Sequence, residues 1–142
     1  MVHLGIDYGL ERTGLALSNP EGTIAFPLCQ LALAGFGARK FLLDEIAALA
    51  RRHNAGAIVM GLPLLENGEE SETTRQIRNA AKKIQRRSGL PLHFMPELLS
   101  TFEAMQDLRE AGRSRKSVKD ILDQQAACRI LQSFLDRPGR EP

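Results

Sequence analysis

Val2-His3-Leu4-Gly5-Ile6-Asp7-Tyr8-Gly9-Leu10-Glu11-Arg12-Thr13-Gly14-Leu15-Ala16-Leu17-Ser18 decides the architecture. Val2, Leu4 and Ile6 alternate along residues 2–6, the two-residue period of a strand. Residues 13–18 form a second apolar segment, and the short connection between them implies a hairpin. Asn19-Pro20-Glu21-Gly22 is turn chemistry. The apolar stretch 23–33 that follows contains Pro27, which removes a ladder donor and places this third strand at a sheet edge.

Outward from the hairpins, the period changes. Leu42, Ile46, Leu49 and Ala50 recur at helical spacing over residues 38–53. Residues 57–60 read as a short buried strand and 61–71 as a loop. Ile77, Ala81 and Ile84 mark a second helix over 72–88, with Gly89 as its stop. Residues 92–95 form a fifth strand. Ser100-Thr101-Phe102-Glu103 has the spacing of a capping box and opens a third helix that stops near Gly112. Ser117-Val118-Lys119-Asp120 resembles another N-terminal cap, opening a last helix that runs to about Leu135. Hairpin strands followed by helix-strand-helix-strand and two helices predict an α/β fold, a mixed sheet flanked by helices. The crossovers through the first two helices imply that the last two strands are parallel to the first.

A chain of 142 residues suits one domain and can bury a core without staples. We expect a single domain over residues 1–136 and a polar tail over 137–142. Cys29 and Cys128 are too few for a disulfide scaffold or a Cys-rich zinc fold. His3, His53 and His93 are dispersed, without the spacing of zinc ligands. No apolar run approaches the ~20 residues of a membrane helix, and no secretory signal opens the chain. The expected location is cytoplasmic.

Three acids stand in unusual places. Asp7 ends the first strand, and Glu97 lies just beyond the fifth. Both fall at carboxyl ends of strands expected to be parallel, where open α/β sheets place ligand crevices. Asp123 shares a helical face with Ala126, Ala127, Ile130 and Phe134, where an unpaired carboxylate is costly. Each has an ordinary explanation in a wet strand end, a buried Arg or a backbone cap. Together they suggest hard-cation chemistry. Mg²⁺ is commonly held by few carboxylates plus substrate phosphate, and paired metal ions support phosphodiester cleavage.

The opening motif from Gly5 to Ser18 resembles that of the YqgF family. The similarity continues through Val59-Met60-Gly61-Leu62-Pro63-Leu64 with Asn67-Gly68, and through Leu122-Asp123-Gln124-Gln125-Ala126-Ala127 to Gln132. Members are RNase H-like proteins described as Holliday junction resolvases and as pre-16S ribosomal RNA nucleases. The resemblance implies an RNase H-like five-stranded mixed sheet, three antiparallel strands and then two parallel ones. It also implies a nuclease using Mg²⁺ or Mn²⁺, with the family's acidic residues falling on Asp7, Glu97 and Asp123 as catalytic and metal-ligating groups. One departure is clear. The family's Asp-Glu-Arg-Leu-Thr-Thr is here Pro96-Glu97-Leu98-Leu99-Ser100-Thr101. The missing Arg is a fixed, always-charged fork suited to phosphate. That change motivates an alternative, a non-catalytic RNA- or ribosome-associated module. Asp7-x-Gly9 followed by Gly14 also resembles the first phosphate loop of actin-like ATPases, which need a second similar domain.

The net charge of +2 hides segregation. Arg75, Arg78, Lys82, Lys83, Arg86 and Arg87 line the second helix, opposite its apolar face. Arg109, Arg113, Arg115, Lys116 and Lys119 cluster before Asp123, against Glu110. Residues 53–74 carry Glu66, Glu69, Glu70 and Glu72 and no Lys or Arg. Basic stripes supply sequence-independent phosphate contacts. We expect Arg12, Arg113, Arg115, Lys116 and Lys119 to contact nucleic acid, structured RNA or branched DNA. With Tyr8 and six Phe, the chain offers little for a base-stacking platform.

Overall fold

The structure is a computed structural model that describes residues 1–98 and 116–137, with side chains described for 1–97 and 126–137. The strands are β1 (His3–Tyr8), β2 (Arg12–Ser18), β3 (Ala25–Ala32), β4 (Ala57–Leu64) and β5 (Leu92–Leu98). The helices are α1 (Arg39–Arg52), α2 (Glu72–Ser88) and α3 (Lys116–Leu135). The expected helix near 100–112 lies outside the described residues. The last helix begins at Lys116, so Ser117 falls inside it rather than at its cap. Among the described residues no helix is long and apolar enough to cross a membrane.

The sheet order is β3-β2-β1-β4-β5. β1, β2 and β3 pair antiparallel, whereas β4 is parallel to β1 and β5 to β4. The expected mixed sheet is therefore present. β3 is at the edge, and its register with β2 slips by one residue beside Pro27. A bulge at an edge is the position that tolerates a residue without an amide donor.

Two strands run further than their apolar cores suggest. The apolar run predicts an end to β4 at Met60, and the strand continues through Gly61-Leu62-Pro63-Leu64. β5 continues past Met95 to Leu98, so Glu97 lies within the strand rather than beyond it. Each extension supplies the other's partner, in the register Gly61↔Met95, Leu62↔Pro96, Pro63↔Glu97 and Leu64↔Leu98. Pro96 is tolerated because β5 is an edge strand. Pro63 lies past the last β1–β4 pair, Ile6↔Met60. β1 likewise includes Asp7 and Tyr8, paired with Gly14 and Thr13.

Alternation sorts β1 onto two layers. Leu4 and Ile6 face α1 and α2, where they join Leu15, Leu42, Ile46, Ile58, Met60, Ile77 and Ile84 in the larger core. Gly5 and Asp7 face the opposite layer, where Ala16, Val59, Ala127, Ile130, Leu131 and Phe134 pack together. The apolar faces read from the spacing in α1 and α2 are the buried ones. Ser71 caps α2 by accepting the Thr74 amide, while the Thr74 hydroxyl donates to the Pro63 carbonyl at 2.6 Å. The start of α2 is thereby tied to the carboxyl end of β4. Gly89 ends α2 in the left-handed conformation at φ 70°, its amide donating to the Gln85 carbonyl.

Thr13 is fully buried, and its hydroxyl has no hydrogen-bond partner among the described residues. An orphaned buried hydroxyl costs about 1–3 kcal/mol. Valine has nearly the same shape and lacks the polar atom. Thr13→Val is accordingly expected to raise stability by about 1 kcal/mol, read as an upward shift in the denaturant midpoint. A lowered midpoint would show that the hydroxyl has a partner in solution.

Candidate active site

The site is built where the parallel strands end. Asp7 is the penultimate residue of β1, and Glu97 the penultimate residue of β5. β4 lies between them. Continuing the β1–β4 register one step past Ile6↔Met60 brings Asp7 level with Gly61. Gly61 has no side chain, and a Cβ placed there would lie 3.6 Å from Glu97 Oε2. The Glu97 carboxylate thus reaches back over β4 toward the β1 side. Both acids are half-buried.

Two glycines seat α3 on this face. A Cβ on Gly5 would lie 2.8 Å from Leu131 Cβ and 3.3 Å from the Ala127 carbonyl oxygen. A Cβ on Gly61 would lie 2.6 Å from Ile130 Cδ1. Neighbouring strands therefore share a notch that admits the helix at backbone distance. Glycine inside a strand otherwise weakens it, and a close approach is the usual reason for it.

The direction of α3 follows from its contacts. The Phe134 ring lies 6.0 Å from the His3 ring at the start of β1 and stacks at 5.3 Å on His93, early in β5. Gly5, further along β1, meets Leu131 and Ala127, which come earlier in the helix. The helix is therefore antiparallel to β1 and β5. Four residues back from Ala127 is ~6 Å along the helix, and two residues on from Gly5 is ~6.7 Å along the strand. The backbone of Asp123 thus reaches the level of Asp7. Its side chain lies outside the described residues. Among the described residues no three His, Cys, Asp or Glu side chains form a group that could hold a metal ion.

Gln132 fixes the far side of α3. Its amide nitrogen donates to the Thr23 carbonyl at 2.9 Å and its oxygen accepts the Ala25 amide at 2.9 Å, which ties the helix to the start of the edge strand and the turn before it. The β1–β2 hairpin is fixed by Gly9, where a Cβ would sit 2.3 Å from the Arg12 carbonyl oxygen. Arg12 opens β2 at the same end of the sheet as Asp7, on the same face as Gly14. Arg113 and Arg115 lie outside the described residues. Lys116 and Lys119 are in the first turn or so of α3, with their side chains outside the described set.

The basic stripe on α2 divides. Arg75 pairs with Glu72 at 2.8 Å, Arg78 with Glu70 at 2.7 Å and Arg87 with Asp44 at 2.7 Å. Lys82, Lys83 and Arg86 have no acidic partner among the described residues. Burial pushes the thiols of Cys29 and Cys128 above the ordinary range, with Glu45 adding to the effect at Cys29. Raised thiols are poor nucleophiles.

Known proteins similar to this chain give its family. Residues 1–137 match the family model described as "RuvX: Holliday junction resolvase". The chain belongs to the RuvX (YqgF) family. It is 46% identical over 138 residues to a protein of Nitratidesulfovibrio vulgaris (strain Miyazaki F), covering 97% of this chain and 95% of that one. A protein of Lawsonia intracellularis is 39% identical over 141 residues, covering 99% and 97%. Both carry the name "Putative pre-16S rRNA nuclease". Among solved structures, Thermus thermophilus RuvC aligns with a TM-score of 0.55 at 15% identity, covering 95% of this chain and 94% of that one. RuvC in complex with a Holliday junction substrate aligns with a TM-score of 0.54 at 13% identity, over the same shares. The likeness to RuvC is one of fold. The RuvX family is a nuclease family, and the expected RNase H-like fold is borne out.

Proposed function

We propose that this RuvX-family protein hydrolyses phosphodiester bonds in structured RNA, and that its substrate is the precursor of 16S ribosomal RNA in the cytoplasm. Residues 1–136 act as one nuclease domain, with 137–142 as a tail. The observation that carries the reading is the pair of carboxylates, Asp7 and Glu97, flanking side-chain-free Gly61 at the carboxyl ends of parallel strands. The names of the curated relatives support RNA over a DNA junction.

The donor set fits a hard divalent cation, Mg²⁺ or Mn²⁺. It offers carboxylate oxygens, and a Cβ at Gly61 would crowd the space beside Glu97 Oε2, at 3.6 Å. Asp7, Glu97 and Asp123 would hold the metal, which when bound neutralises the acids and the scissile phosphate and activates water. Glu97 Oε2 is the proposed acceptor of the proton that the attacking water loses. Ile130 and Leu131 close the floor of the site beneath α3, where exclusion of water strengthens every charge interaction. Arg12, Arg113, Arg115, Lys116 and Lys119 would hold phosphates that lead into the acids.

The test is cleavage of a 16S precursor transcript and of a four-way DNA junction, each with Mg²⁺ or Mn²⁺. Cleavage of the RNA and not the junction is the expected result. Cleavage of the junction alone would assign a resolvase. Cleavage of neither would leave a binding module. In the same assay, neutralising Arg113, Arg115 and Lys116 is expected to flatten the salt dependence of RNA binding by about 2 in log–log slope, at ~0.7 per lost single-strand phosphate contact. An unchanged slope would remove them from the interface.

A further inference from the structure

The opposite face of the sheet carries a second feature. A cleft of about 600 Å³ opens between α1 and α2, starting at Tyr8-Gly9-Leu10 directly after Asp7. It is lined by Arg39, Lys40, Lys83, Arg86 and Arg87 and, among the described residues, by no acidic side chain. Of these, Arg87 is neutralised by Asp44 at 2.7 Å. Lys40, Lys83 and Arg86 are exposed and have no acidic partner among the described residues.

Arg39 is fixed differently. One guanidinium nitrogen donates to Tyr8 Oη at 2.7 Å and the other to the Leu10 carbonyl at 2.7 Å. Both acceptors are neutral, so its charge stays uncompensated while its position is set. Arg39 and Lys40 also begin α1, whose N-cap Ala38 offers no side-chain acceptor and whose first turn holds no acid. Cations at the positive end of a helix dipole are unfavourable, and an anion there is favourable. Gathering like charges in a concave wall has the same sign of cost, and a polyanion relieves both.

We propose that this cleft is a phosphodiester-backbone site that holds a single-stranded flank of the substrate RNA after it passes the β1–β2 hairpin from the acidic end of the sheet. The assignment of RNA rests on the proposed function above. The cleft contributes Lys40, Lys83 and Arg86 as adaptable phosphate contacts and Arg39 as a fixed one. Base stacking plays little part, because Tyr8 is engaged by Arg39, which also lies over its ring at 5.3 Å.

The test is binding of a fluorescent hairpin RNA with a single-stranded flank, titrated across salt concentrations without divalent metal. The combined variant K40Q/K83Q/R86Q is compared with the charge-matched R51Q/R52Q/R137Q, whose residues lie outside the cleft. The cleft variant is expected to lower the log–log salt slope by about 2, at ~0.7 per single-strand phosphate contact, and to weaken low-salt affinity roughly 10- to 100-fold. The control variant leaves the slope near that of wild type, and removing the flank from the RNA abolishes the difference. Equal loss in both variants, or no loss in the cleft variant, overturns the proposal, as does a difference that persists without the flank. Because binding is read without cleavage, failure of the nuclease reading shows in the cleavage assay and not here.

Discussion

Asp7→Asn is expected to lower RNA cleavage by at least ~10²-fold while leaving the protein folded. Losing an outer-shell partner of a metal site costs about 10–100-fold, and Asp7 is proposed above as one of the ligands themselves. Asparagine keeps the size of the side chain and removes its charge. Glu97→Gln should behave in the same way, because its Oε2 is the atom that reaches over β4. Wild-type activity in both variants would reject the assignment, and a fall in Tm with loss of activity would point to a structural role.

Gly5→Ala carries the second large effect, and its sign is diagnostic. In an ordinary strand interior, alanine is preferred over glycine by ~0.5–1 kcal/mol. Here the new Cβ would meet Leu131 Cβ at 2.8 Å and the Ala127 carbonyl at 3.3 Å. Neither atom is the free end of a flexible chain, so α3 itself must lift. Overpacking of this type costs about 1–3 kcal/mol. At ~2–4 °C per kcal/mol for a protein near this size, Tm should fall by several degrees. Activity should fall further than stability alone explains, since the segment of α3 that carries Asp123 rides on the same contact. Adding Leu131→Ala should not rescue Gly5→Ala, because alanine keeps the Cβ against which the new methyl lies. A rise in Tm for Gly5→Ala would show that the helix is not seated on the notch.

Much of this arrangement is readable in the chain. The alternation of Leu4 and Ile6, the proline in β3 and the helical spacing of Ile77, Ala81 and Ile84 each rest on local rules, and the observed elements obey them. The parallel placement of β4 and β5 follows from the helical crossovers that precede them. Strand ends are less legible. Residues 61–64 and 95–98 are extended because each pairs with the other, and a pairing partner more than thirty residues away leaves no local periodicity.

The site divides along the same line. Asp7 and Glu97 are visible as acids closing apolar segments. The role of Gly5 and Gly61 in admitting α3 is not, although a glycine within a strand pattern is a signal of close backbone approach. Gln132 gives no warning either, because a glutamine that bonds Thr23 and Ala25 across more than a hundred residues looks like any surface polar residue. The stripe on α2 is legible as charge. Only the fold distinguishes Arg75, Arg78 and Arg87, which are paired with acids, from Lys83 and Arg86, which line a cleft with α1.

Calorimetric titration of Mn²⁺ into the wild-type protein and into Asp7→Asn, Glu97→Gln and Asp123→Asn measures the shared cation site without requiring the natural substrate. Saturable binding by wild type, weakened in each of the three variants, is the predicted result. Absence of binding by wild type, or an affinity indifferent to all three substitutions, would contradict it.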